Sequence, residues 1–195
     1  MTAGAYRDAV SALLGGGWDF AGLHASARGE VVRALFLSVD GAARLAAVTT
    51  VNGAVPSIVD LAPAAQWDER EAHDLRGVRF DGHEPLRPLV DHEPDLSHWT
   101  VPVRGHDPYQ VAVGPIHAGV IESGHFRFHL VGERILHLDA RLFYKHRGLE
   151  RAAEGARLSE GLAFAARACG ACAVSNAVAY AQACEQALGL EPTGE

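Results

Sequence analysis

Residues 67–83 read Trp67-Asp-Glu-Arg-Glu-Ala-His-Asp-Leu-Arg-Gly-Val-Arg-Phe-Asp-Gly-His83. Six of the first eight residues are charged or titratable, and Gly77 follows where a left-handed C-cap would end a helix. The spacing predicts a helix from about Trp67 to Leu75. Read alone, the charges describe a solvated face with i,i+4 pairs such as Arg70 with Asp74. Upstream, Pro56 and Pro63 separate this helix from a hairpin of two strands, Glu30–Asp40 and Ala43–Val51, turning at Gly41. On the first strand Val31, Arg33, Leu35, Leu37 and Val39 share one face. Tyr6, Val10, Leu13 and Leu14 have helical spacing, and Gly15 to Gly17 end that segment. The order of elements is α+β, with mostly antiparallel pairing around a small sheet.

Downstream, residues 81–108 gather Asp, His and five prolines (Pro85, Pro88, Pro94, Pro102 and Pro108), the composition of a linker arm. A second unit begins near Tyr109. Gln110–Val113 is a short strand leading into Gly114-Pro115. Phe126, Phe128 and Leu130 alternate with His125, Arg127 and His129. After Gly132, Leu136, Leu138, Ala140 and Leu142 alternate with His137, Asp139 and Arg141. That is a two-faced β-hairpin, one face apolar and one rich in His, Arg and Asp, the latter readable as an exposed polar surface. Helical stretches at about 144–154, 157–168 and 171–189 follow, a partial helical bundle. The domain division expected is therefore 1–80, 81–108 and 109–195.

Composition bounds the function. With 195 residues, 48% hydrophobic and 21% charged, the chain can build a core. Seventeen Lys plus Arg against 24 Asp plus Glu leave a net charge of −7, which argues against nucleic acid as a partner. No apolar run reaches the roughly 18–20 residues of a membrane-spanning helix. Three cysteines, two of them as Cys169-Gly-Ala-Cys172, fit a reducing, intracellular compartment better than a secreted one. Two thiols three residues apart at a helix start can meet one metal, but a zinc, iron–sulfur or nickel site usually takes about four ligands. The alternative is a pair of small buried cysteines. Gly114-Pro-Ile-His117 and Glu122-Ser-Gly-His125 place His and a carboxylate in a loop between strands, where sites are common.

Taken together these segments resemble known redox proteins. Glu69, Arg70, Glu71, Asp74, Leu75, Gly77, Val78, Phe80, Gly82 and His83 match the signature of the C-type component of bacterial complex I, the NADH–quinone oxidoreductase. From Gly114 onward the chain is similar to the opening of the nickel–iron hydrogenase large subunit and its relative, the D-type component of complex I. The matching stretches are Gly114–His117, Glu122–Phe128, Gly132-Glu133, Tyr144–Glu150 and Arg167–Cys172. A C-like unit followed by a D-like one resembles the large subunit of formate hydrogenlyase and other group 4 hydrogenases.

The resemblance implies roles. Cys169 and Cys172 correspond to the first pair of Ni–Fe ligands, and Glu122 to a glutamate that passes protons. His117 or His125 would lie nearest a quinone pocket. An iron–sulfur cluster would sit on a neighbouring small subunit, and the chain would be cytoplasmic, peripheral to the inner face of the membrane through its partners. Three departures bear on this: Asn176 stands where the hydrogenase motif has His, Phe143 replaces a usual glycine before the Tyr-x-His-Arg-Gly motif, and the second cysteine pair is not in the sequence. The resulting expectation is a redox-complex component that contributes part of a Ni–Fe or quinone site and is incomplete and inactive alone. The alternative is a non-catalytic structural or assembly subunit.

Overall fold

The computed structural model describes residues 1–90, 102–119 and 121–191. The chain divides into two compact units, Met1–Lys145 and His146–Glu195.

The first unit opens with helix α1, Ala3–Gly15, whose N-terminus is capped by Thr2 Oγ1 accepting from the Ala5 amide at 3.4 Å. Tyr6 and Val10, one turn apart, are its fully buried positions. Strands β1 (Asp19–Ala25), β2 (Val31–Leu37) and β3 (Ala43–Thr49) form an antiparallel sheet with β2 central. The expected hairpin is β2–β3, with Val32 opposite Val48 and Ala34 opposite Ala46. Its inward face is Val32, Ala34 and Phe36, while the alternate face holds Leu35 half-buried and Leu37 exposed. Phe36 decides the orientation: it stacks edge-on against Phe20 at 5.9 Å, inside a core that also takes Tyr6, Val10, Ile58 and Phe80.

Strand β4 (Ala54–Pro56), helix α2 (Ala65–Arg76) and strand β5 (Arg79–Asp81) make a parallel β–α–β crossover. Gly77 closes α2 in the left-handed conformation, φ 67°, as its sequence position predicts. The charged run on α2 is not a solvated face. Glu69 is fully buried and Arg70 nearly so. Asp68 Oδ2 accepts from the Leu23 amide at 2.8 Å, and Asp74 Oδ2 accepts from the Leu89 and Val90 amides, both at 2.7 Å. These carboxylates satisfy backbone donors on neighbouring segments, which is why they turn inward. Of the stretch read as an arm, Leu89 is buried on this side of the fold, and residues 91–101 with Pro94 lie outside the described residues.

Strands β6 (Tyr109–Val113), β7 (His125–Val131) and β8 (Arg134–Arg141) form a second antiparallel sheet, β7 central. The register places His129 opposite His137 and Arg127 opposite Asp139, so the polar residues share one face.

The second unit consists of helices α3 (Leu149–Ala153), α4 (Leu158–Arg167) and α5 (Ala173–Leu188). At the start of helix α4 the Glu160 carboxylate reaches back to accept from the Arg157 amide at 2.9 Å. Gly161 lets α4 and α5 approach: a Cβ there would lie 1.9 Å from the Tyr180 hydroxyl. That hydroxyl donates to the Leu158 carbonyl at 2.8 Å.

Candidate functional site

The loop between β6 and β7 carries Glu122 and His117, and His125 opens β7 at its end. Its neck is drawn shut. His117 Nε2 donates to the Gly124 carbonyl at 2.7 Å, and His125 Nδ1 to the Gly114 carbonyl at 3.3 Å. Gly114 has φ +83°, and a Cβ on it would meet the Gly124 oxygen at 2.1 Å, so only glycine fits this crossing. The His117 ring also leans on Phe126 at 5.8 Å. Glu122 lies beyond this neck and pairs with Lys145 at 3.2 Å, both side chains largely exposed. Glu122 is thus an exposed, ion-paired carboxylate, and the two histidine bonds close the base of the loop that carries it.

The cysteine pair lies in the second unit, between α4 and α5. Cys172 is the N-cap of α5, its carbonyl accepting from the Asn176 amide at 2.9 Å and the Ser175 hydroxyl at 3.0 Å. Cys169 precedes the helix in the turn, so the expectation that both thiols stand on one helical face is corrected: only Cys172 belongs to a helix start. The buried-cysteine alternative also fails, since Cys172 is exposed and Cys169 half-exposed, and no disulfide joins either to Cys184. Arg147 clamps the end of α4, its Nη2 donating to the carbonyls of Arg167 at 2.6 Å and Ala168 at 3.1 Å. A cation at a helix C-terminus satisfies otherwise orphaned carbonyls.

This turn offers two thiols, half of the roughly four ligands a Ni–Fe centre takes. Among the described residues no three His, Cys, Asp or Glu side chains converge as metal ligands.

Two buried clusters escaped sequence reasoning. On the polar face of the hairpin sheet, Asp139 is 1% exposed rather than part of an open surface. It accepts from His129 Nε2 at 2.8 Å, His137 Nε2 at 3.1 Å and Arg87 Nη1 at 3.1 Å. Burial alone would raise its pKa, but the hydrogen bonds from His129 and His137, with Arg87, hold it below the usual carboxylate value. The available signal was the Gly132 turn, whose register sets His129 against His137. In the first sheet's core, Glu69 accepts from the Ile58 amide (2.8 Å), the Ser57 hydroxyl (2.8 Å) and His83 Nδ1 (2.9 Å). Burial outweighs these donors and raises the Glu69 pKa.

A small antiparallel sheet, a β–α–β crossover with inward-facing charges and a histidine-bearing hairpin make this an α+β protein. The chain belongs to the family of the respiratory-chain NADH dehydrogenase 30 kDa subunit, which matches residues 10–110, just over half its length. It is 34% identical to hydrogenase-4 component G of Escherichia coli over 185 residues, an alignment spanning 80% of this chain and 33% of that protein. It is 32% identical to formate hydrogenlyase subunit 5 of Escherichia coli over 162 residues, 70% of this chain and 28% of the relative. The C/D 2 component of the NADH-quinone oxidoreductase of Aquifex aeolicus is 27% identical over 190 residues, 72% of this chain and 32% of the relative. The chain thus spans about a third of the length of these relatives. Among the described residues, no helix is long and apolar enough to cross a membrane.

Proposed function

We propose that the chain is a subunit, or the opening part of one, in a hydrogenase or NADH–quinone oxidoreductase complex held at the cytoplasmic face of a membrane through its partners. The observation that carries this reading is the family match over residues 10–110, continued by relatives that align across 70–80% of the chain and are all components of such complexes by name. In this reading residues 1–80 dock on the complex, residues 81–108 connect, and residues 109–195 face an iron–sulfur partner subunit. Glu122, exposed and paired with Lys145, exchanges protons. His117 and His125 hold the loop that would border a quinone or proton route. Cys169 and Cys172 supply thiol donors to a site that other ligands must complete.

The structural-subunit reading keeps one observation in its favour, a donor set of two thiols. A tagged chain recovered from membranes under anaerobic conditions separates the two. The redox reading expects co-purification with an iron–sulfur protein, together with loss of most hydrogen or quinone turnover when Cys169→Ala and Cys172→Ala are combined. Unchanged turnover in a complex of unchanged composition would leave the structural reading, and recovery of the chain without an iron–sulfur protein would remove both.

A further inference from the structure

Residues 168–172 join α4 to α5, and Cys169 and Cys172 both lie in this connection. The last carbonyls of a helix have no donor within it and take one from elsewhere. Helices α2 and α5 end on left-handed glycines, Gly77 and Gly189, whose amides turn back onto the final turn. Helix α4 ends differently. Its C-cap is Ala168, still in the right-handed conformation at φ −58° and ψ −40°.

The donor to this end comes from a distance. Arg147 Nη2 donates to the Arg167 carbonyl at 2.6 Å and to the Ala168 carbonyl at 3.1 Å. The second carbonyl belongs to the peptide bond that leads into Cys169, so the guanidinium holds that peptide plane directly. Arg147 is itself anchored, because it precedes Gly148, the left-handed N-cap of α3, whose carbonyl accepts from the Ala152 amide at 2.9 Å. At the other end of the connection, the Cys172 carbonyl is fixed by the Asn176 amide and the Ser175 hydroxyl. All of these residues belong to the second unit.

Two effects of Arg147 on a metal ion bound by both thiols have opposite signs. A cation close to a dication repels it. An ordered turn, in contrast, spares the bound state the backbone freedom that a loose turn would lose on binding. Arg147 is exposed, so its charge is screened by solvent and salt, and the ordering effect outweighs the repulsion.

We propose that Arg147 is the positioning residue of the thiol pair: by tying the Ala168–Cys169 peptide to the start of α3, it sets where Cys169 stands relative to Cys172 for a thiophilic metal ion. Arg147 touches no ligand and acts through the main chain alone. This deepens the reading of the two cysteines as metal donors and rests on it.

The test uses the full 195-residue chain, reduced and anaerobic, with cadmium ion as the probe. The readout is the ultraviolet thiolate-to-metal charge-transfer band, followed at about pH 9, above the ordinary thiol pKa of about 8.5, so that thiol protonation contributes little. The wild-type chain should bind cadmium saturably, and Cys169→Ala combined with Cys172→Ala should remove the band. Arg147→Gln, with helical circular dichroism unchanged, should weaken cadmium binding about tenfold, the equivalent of one charge-assisted hydrogen bond. Arg147→Lys should recover part of that loss, because an ammonium group also donates to carbonyls. Arg151→Gln removes one positive charge from the same unit and should leave the affinity unchanged. Wild-type affinity in a folded Arg147→Gln protein, or an equal loss in Arg151→Gln, overturns the proposal and leaves the cysteine-donor reading standing. A wild-type chain whose band does not depend on Cys169 and Cys172 overturns both.

Discussion

Glu69 and Asp139 are both buried carboxylates with three donors each, yet acid acts on them in opposite directions. The folded protein holds the Asp139 proton less tightly than the unfolded chain, whose aspartates titrate near pH ~3.9. Its contribution is therefore complete above that value and is lost as pH falls through the lower folded pKa. Glu69 has the reverse sign. Its folded pKa lies above the unfolded value of about 4.3, so stability from this group increases as pH falls through the folded pKa toward the unfolded one. Urea denaturation across a pH series should show it. Asp139→Asn flattens the loss below pH ~4 and costs about 1–3 kcal/mol at neutral pH, the range for a disrupted buried hydrogen-bond group. Glu69→Gln instead removes a gain on mild acidification. Identical pH profiles for the two variants would contradict these assignments.

The elements that were legible in the sequence are the ones whose period is long enough to count. Helices α1, α4 and α5 and strands β2, β3, β7 and β8 follow from apolar spacing and from Gly41, Gly77 and Gly132. Strand β1 was not legible, because its register shifts between Phe20 and Gly22 and breaks the alternation. Strands β4 and β5 are three residues each, below any usable period, and pair in parallel across a helix. The charged run on α2 gave the helix but not its burial. What turns Asp68, Glu69 and Asp74 inward is the set of amides at Leu23, Ile58 and Leu89, none of them near in sequence. The loop bearing His117 and Glu122, with His125 at its end, was legible as a candidate site, whereas the Asp139 cluster depended on a strand register and on Arg87. The α4–α5 contact supports a prediction at this scale. Gly161→Ala drives a methyl against the Tyr180 ring and should cost about 1–3 kcal/mol by overpacking. Loss of helical circular dichroism at lower temperature would report it, and Gly161→Ala with Tyr180→Leu should recover most of the loss.

At the scale of the molecule, the apolar interior is unevenly shared. Every residue of the hydrophobic core cluster lies between Tyr6 and Phe80. Helix α5 has no buried residue, and Val174, Val178 and Leu188 on it are 79%, 50% and 59% exposed. On the hairpin sheet Val111, Ile135 and Leu138 are exposed as well. Soluble monomers rarely display several such residues on one helix or one sheet face, and each unit does so by itself. The isolated chain should therefore associate as its concentration rises, seen as a growing sedimentation coefficient. Val174→Glu with Val178→Glu should reduce that growth while leaving helix content unchanged; a monomer at all concentrations would count against it.

The parallel pairing of β4 with β5 also has a consequence in time. The β2–β3 hairpin closes a five-residue connection, Ser38 to Ala42, whereas β4 and β5 are separated by the 22 residues from Ser57 to Val78. Closing the longer stretch costs more chain entropy before any ladder bond rewards it. The hairpin can nucleate locally, and the crossover must wait for α2 to find the sheet. The β4–β5 pairing should therefore form after the hairpin, seen as lower φ-values for substitutions in β4 and β5 than in β2 and β3.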